Sequence, residues 1–135
     1  MKNQFKGYER ENGFGTRNHI LIIPTVACAQ ITANRIKEAS SNLYNTAEGK
    51  IKVLNNSYGC CQDGIDLEQT TNTLINTGIH PNVYGVLVLS LGCESVDYEK
   101  VANKISAYKP TVSINIQDSN LEKTIEKGVS EIKKM

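Results

Sequence analysis

The residues of this 135-residue chain best suited to soft-metal or nucleophilic chemistry are its four cysteines, Cys28, Cys60, Cys61 and Cys93. Cys28, Cys60 and Cys93 recur at steps of 32 and 33 residues, about the ~30 residues of one strand-plus-helix unit. Ser57-Tyr58-Gly59-Cys60 and Ser90-Leu91-Gly92-Cys93 repeat the pattern S-x-G-C, in which glycine admits a tight turn. Three thiolates brought to one place leave a fourth position open on an iron or zinc ion, or on one iron of a cluster. A closed structural zinc site wants four ligands, and the chain has no C-x-x-C pair. The plainer reading makes each cysteine a small hydrophobe packed at a strand end. Exchange between Cys60 and Cys61 is a further option, although a disulfide between neighbours strains the peptide link.

Other candidates stand close to these cysteines or far from them. Glu94, directly after Cys93, is a carboxylate supporting a ligand from behind, an oxygen ligand, an acid/base group, or a first-turn glutamate favoured by a helix dipole. Tyr58 and Asp63 flank Cys60 and are candidate acid/base groups. Arg10 and Arg17, with Asn18 beside them, could clamp a substrate carboxylate or dock the N-terminal stretch. His19 and His80 fall where strands begin, on the edge away from the cysteines. His80-Pro81-Asn82 reads as a structural turn or subunit contact, since proline stops a helix and pre-sets an extended entry.

The elements that must position these residues follow from periodicity. His19–Thr25, Ile51–Asn55, Val83–Leu91 and Thr111–Ile116 are short, apolar and β-branched, and read as strands. Val83–Leu91 is apolar on both alternating faces, as a central strand covered on both sides requires. Helical faces are expected at Ala33, Ile36, Ala39 and Leu43; at Leu67, Leu74 and Ile75; at Val101, Ile105 and Tyr108; and at Leu121, Ile125, Val129 and Ile132. Asp66, Ser95 and the pair Ser119/Glu122 are expected caps. The alternation predicts an α/β fold, a three-layer Rossmann-like or flavodoxin-like sandwich with a parallel sheet of about four strands. Residues 1–17 are expected to form an ordered arm, and residues 18–135 a single domain. The cysteines then gather at the carboxyl edge, where such sheets bind ligands. Each thiol is expected just before a helix N-terminus, which lowers its pKa.

Composition excludes several classes. Fifteen basic side chains against 14 acidic ones, with no basic block, argue against nucleic acid. The longest apolar run, Ile20–Ala29, is broken by Pro24 and Thr25, so neither a membrane partner nor a signal peptide is expected and the chain reads as cytoplasmic. Structural disulfides are not expected in that compartment. Neither G-x-G-x-x-G nor a P-loop follows a strand, so no nucleotide cofactor is expected.

Phe5-Lys6-Gly7-Tyr8-Glu9-Arg10, Gly15-Thr16-Arg17-Asn18, Thr25-Val26-Ala27-Cys28, Gly59-Cys60, His80-Pro81-Asn82 and Leu91-Gly92-Cys93-Glu94 form an ordered set. That set resembles the altronate/galactarate dehydratase family, which also takes in the sulfolactate sulfo-lyase large subunit. The resemblance implies an iron-dependent lyase, with Fe2+ or an iron–sulfur cluster, that removes water from a hexonate- or hexarate-type sugar acid. It also implies companion subunits or domains supplying an N-terminal and a long C-terminal part, the chain being a central module or split subunit. A non-catalytic interaction subunit, or a component of a carbon–sulfur lyase, remains the alternative.

Overall fold

A computed structural model describes residues 4–135; Met1–Asn3, the start of the expected arm, lie outside the described residues. The first two strands, β1 (Tyr8–Arg10) and β2 (Gly13–Gly15), form an antiparallel hairpin. Then come β3 (His19–Pro24), α1 (Gln30–Ser40), β4 (Ile51–Val53), α2 (Gly64–Gly78), β5 (Val83–Ser90), α3 (Tyr98–Ser106), β6 (Thr111–Asn115) and α4 (Leu121–Lys134). The four later strands make one parallel sheet in the order β4-β3-β5-β6. This is the flavodoxin-like order, whose crevice opens where the chain reverses direction, between β3 and β5.

Two separate apolar layers explain why β3 and β5 occupy the middle. Ile20 and Ile22 of β3 and Leu87 and Leu89 of β5 face Ala33 and Ile36 of α1 and Ile132 of α4. Leu21, Ile23, Val86 and Val88 face Leu74 of α2 and Val101 and Ile105 of α3. Side chains alternate across a strand, so only a strand apolar at every position can serve both layers. The helices meet in pairs through glycine. A β-carbon at Gly78 would stand 2.4 Å from Ile105 Cδ1, and one at Gly128 would stand 2.8 Å from Ile36 Cδ1.

Helix boundaries differ from the periodic reading at several residues. Helix α1 ends at Ser40, which is buried while Ala39 is exposed; Leu43 and Tyr108 lie beyond their helices. The caps are Asp63, Asp97 and Asn120, whose side chains accept from the N–H groups of Gly64, Lys100 and Lys123. Asp66 is instead a first-turn residue of α2. Ser95 falls two residues early because the loop after β5 is longer than a minimal turn. Ser119 is displaced by a 3-10 turn at Ile116–Asp118 and places its hydroxyl 3.0 Å from that of Thr124.

The N-terminal stretch, read as an arm without period, contains the hairpin, and the H-P-N turn receives it. Asn82 Oδ1 accepts from the N–H groups of Thr16 (2.8 Å) and Arg17 (3.2 Å), and Arg10 Nε donates to the Pro81 carbonyl at 3.4 Å.

Candidate functional site

Three loops leave the carboxyl ends of β3, β4 and β5, and each carries one of the spaced cysteines. Cys28 sits in a 3-10 turn at Ala27–Ala29 immediately before α1. Cys60 lies in the loop between β4 and α2, and Cys93 in the loop between β5 and α3. The glycines of the S-x-G-C repeat do what their type permits: Gly59 has φ +100° and Gly92 has φ +108°, both left-handed. All four thiols are free and exposed.

Hydrogen bonds stitch the three loops into one mouth. Ala27 N–H donates to the Tyr58 carbonyl at 3.0 Å, joining the first loop to the second. Ser95 N–H donates to the Gly59 carbonyl at 2.8 Å, and Gln62 N–H donates to Ser95 Oγ at 3.2 Å, joining the second to the third. The buried Thr25 hydroxyl donates to Glu94 Oε1 at 2.7 Å, joining the first to the third. Glu94 also accepts from Leu91 N–H (3.2 Å) and Gly92 N–H (2.6 Å). Its carboxylate is therefore a clasp for the turn that presents Cys93. Thr25, Gln62 and Ser95 were not read as site residues from sequence; the available signal was a polar side chain within three residues of each spaced cysteine.

Of the other acid/base candidates, Asp63 is engaged and Tyr58 is not. Asp63 Oδ1 accepts from Gly64 N–H at 2.7 Å as the cap of α2. Tyr58 is 65% exposed, and its hydroxyl has no hydrogen-bond partner among the described residues. Its ring lies on the wall of a cavity of about 440 Å³ between β4 and α2, shared with Asn55, Gln62, Asp66, Gln69 and Thr70.

Thiol acidity departs from the sequence reading. Cys60 stands several residues before α2, and the dipole effect fades within the first turn. The Cys60 thiol is raised, not lowered: the hydrogen bond with Cys61 is the largest cause, followed by repulsion from Cys61, with burial, Cys93 and Cys28 adding to it. Sulfur donors on three loops have the softness an iron centre asks for, but their spacing falls short of one. Among the described residues no three His, Cys, Asp or Glu side chains are close enough to share an ion.

The residues expected to hold substrate lie at the opposite edge, and the structure does not bring them to the cysteines. The Arg10 guanidinium packs over the rings of Tyr8 (5.4 Å) and Tyr84 (5.7 Å) and bonds to Asn18 Oδ1. Asn18 is further held by Tyr44, whose hydroxyl donates to its carbonyl at 2.7 Å. Arg17 Nη1 donates to the neighbouring Thr16 carbonyl. The Arg10 bonds dock the hairpin, the competing reading of that arginine, whereas the Arg17 side chain bonds only to its neighbour. His19 Nδ1 accepts from Lys50 N–H and His80 Nδ1 from Asn82 N–H, each at 3.1 Å. Burial, then the charge of Lys52, lowers the His19 pKa.

A family model described as D-galactarate dehydratase/altronate hydrolase, second domain, matches residues 7–135. The chain is 40% identical to altronate dehydratase of Bacillus subtilis over 126 residues, covering 88% of this chain and 22% of that protein. It is 37% identical to altronate dehydratase of Escherichia coli over 108 residues, covering 78% of this chain and 20% of that one. It is 35% identical to (2R)-sulfolactate sulfo-lyase subunit beta of Chromohalobacter salexigens over 127 residues, covering 90% of this chain and 29% of the relative. The chain thus spans between a fifth and a third of the length of these relatives. No solved structure matches it significantly. No helix among the described residues is long and apolar enough to cross a membrane.

Proposed function

The chain belongs to the D-galactarate dehydratase/altronate hydrolase family as its second domain, and from this premise we propose that it is the central module of a sugar-acid dehydratase. The reaction is removal of water from a 2,3-dihydroxy acid, by loss of the proton beside the carboxylate and departure of the neighbouring hydroxyl. The observation that carries the reading is the family match over residues 7–135. The stitched mouth at the switch point of the sheet is where such a fold presents chemistry.

Within that mouth Cys28, Cys60 and Cys93 are the candidate ligands for Fe2+ or an iron–sulfur cluster, and binding one ion by all three requires the loops to close further. Glu94, through Thr25, Leu91 and Gly92, sets the turn from which Cys93 projects. Tyr58 is the acid/base candidate with its polar atom free, and it lies on the wall of a cavity that mixes amides, hydroxyls and Asp66 with the apolar Leu54 and Leu74.

Companion parts are included in the proposal. The exposed large apolar residues fall at the two sheet edges: Ile31, Tyr58, Ile65 and Leu121 on the cysteine side, and Phe5, Phe14, Leu43 and Tyr108 on the hairpin side. Covered faces with two apolar ends fit a module placed between other domains of a family-length protein. A component of a carbon–sulfur lyase is the second reading, carried by the match to the sulfo-lyase subunit beta. Both eliminations start with the same proton and differ in the group expelled.

Anaerobic iron titration followed by absorbance and EPR tests the cysteine assignment. Wild-type chain is expected to take up iron, with Cys28→Ser, Cys60→Ser and Cys93→Ser each weakening uptake at least ~10-fold. Uptake no better than in the variants removes the cysteines from the site. In a family-length assembly containing this module, turnover of altronate or galactarate is expected and is lost with Cys60→Ser; unchanged turnover makes the module an interaction subunit.

A further inference from the structure

The mouth leaves Cys61 without a role, yet its backbone is the exceptional one. It is the only non-glycine residue with positive φ among the described residues, at +54°, a conformation that strains any residue bearing a β-carbon. Neighbouring side chains on extended backbone point to opposite sides. At this left-handed turn the Sγ atoms of Cys60 and Cys61 instead stand 3.6 Å apart, and both thiols are exposed.

The flanking residues are anchored. Gly59 N–H donates to Gln62 Oε1 at 2.9 Å, while the Gly59 carbonyl and the Gln62 N–H are both taken by Ser95. A β-carbon at Gly59 would stand 2.1 Å from the Thr25 carbonyl oxygen, so the backbone that enters the pair packs directly on the first loop. Two thiols held side by side between fixed ends are pre-organised to react with each other.

We propose that Cys60 and Cys61 are a vicinal dithiol which a low-molecular-weight disulfide closes into a Cys60–Cys61 bond, withdrawing Cys60 from the cysteine mouth. One cysteine thiolate attacks the small disulfide, expels one of its halves as thiolate and leaves a mixed disulfide. The neighbouring thiolate then attacks the protein sulfur of that mixed disulfide, forms the Cys60–Cys61 bond and expels the second half. The two cysteines lose two electrons, the small disulfide becomes two thiols, and the two cysteine protons pass to those thiols. An S–S bond of about 2.05 Å requires the sulfurs to approach by roughly 1.5 Å.

The α-carbons of neighbours on a trans peptide are only about 3.8 Å apart, short of the ~4.4–6.8 Å spanned by ordinary disulfides. The closed ring is consequently strained and easily reduced, as a reversible switch requires and a structural brace does not. Only the effect on iron rests on the ligand assignment made above; bond formation stands apart from it.

The test treats reduced, metal-free chain with oxidised glutathione, alkylates the remaining thiols and weighs the peptide containing residues 60 and 61. The expected product has lost two hydrogens, resists alkylation at both cysteines and reverts with dithiothreitol. Cys61→Ser is expected to keep glutathione on Cys60 instead. A stable glutathione adduct on wild-type Cys60, or a bridge from Cys60 to Cys28 or Cys93, overturns the proposal. Iron(II) uptake by the oxidised and reduced chains separates the two claims. A disulfide with no iron uptake in either form upholds the dithiol and removes the ligand assignment, whereas iron uptake without a disulfide does the reverse.

Discussion

Glu94 shows how a residue next to a reactive one can act by position. Its carboxylate accepts from the Thr25 hydroxyl and from two backbone N–H groups, bonds of the charge-assisted kind. Glu94→Ala leaves the buried Thr25 hydroxyl only its longer bond to the Leu89 carbonyl, at 3.3 Å, and frees the turn before Cys93. It is expected to cost about 2–3 kcal/mol in urea unfolding, with Glu94→Gln losing less because one amide oxygen still accepts. Equal losses for the two variants exclude the clasp. Both the spacing of Cys28, Cys60 and Cys93 and the left-handed glycines of S-x-G-C could be read from sequence. The closeness of Cys60 and Cys61 could not, because it depends on φ at Cys61, a torsion adopted in a loop whose ends are tied by residues far away in the chain.

The four strands of the parallel sheet and the four helices followed from periodicity, since only β3 and β5 are apolar on both faces and only the helices carry one apolar stripe; the hairpin β1–β2 did not, because its short strands show no period. Element ends did not, because a cap is chosen by the loop length before it; one 3-10 turn is enough to pass the cap of α4 from Ser119 to Asn120. Helix pairing was also invisible. Gly128 of α4 sits on Ile36 of α1, where an added methyl would stand 2.8 to 3.0 Å from three atoms of a fully buried side chain. Helix propensity alone favours alanine by about 1 kcal/mol, whereas overpacking costs about 1–3 kcal/mol. Gly128→Ala is expected to destabilise on balance, and Ile36→Val, by removing the nearest methyl, to recover part of the loss. A simple sum of the two single effects in denaturant midpoints shows that these helices do not meet there.

Across the whole molecule the two sheet edges divide the labour. The amino edge is built to hold the hairpin and the connections. Lys109, 5% exposed, donates from Nζ to the carbonyls of His80 (2.6 Å) and Val83 (2.5 Å) and ties the end of α3 to the entry of β5. Burial first, and the charge of Arg10 second, lower its pKa from 10.5 to about 8. Between those values the unfolded chain holds a proton that the folded chain has released. Stability is therefore expected to rise with pH across that interval and to fall as pH drops back through about 8. Lys109→Met is expected to flatten this rise in urea midpoints compared at the two ends of the interval, and an unaltered rise excludes Lys109 as its source.

Charge balance, the alternation of helices with the strands of the parallel sheet, one cysteine per unit and the ordered motifs were all properties of the sequence, because each is local or periodic. Their resemblance to the dehydratase family agrees with the family match. Other properties belonged to the tertiary structure alone. The order β4-β3-β5-β6 puts the Cys28 and Cys93 loops on either side of the switch point, the stitching turns Glu94 into a clasp, and docking of the hairpin engages the Arg10 guanidinium with Asn18 and Pro81. These depend on groups tens of residues apart that bond only after the sheet has formed, and no local pattern specifies which hydrogen bond a polar side chain will find once water has been excluded.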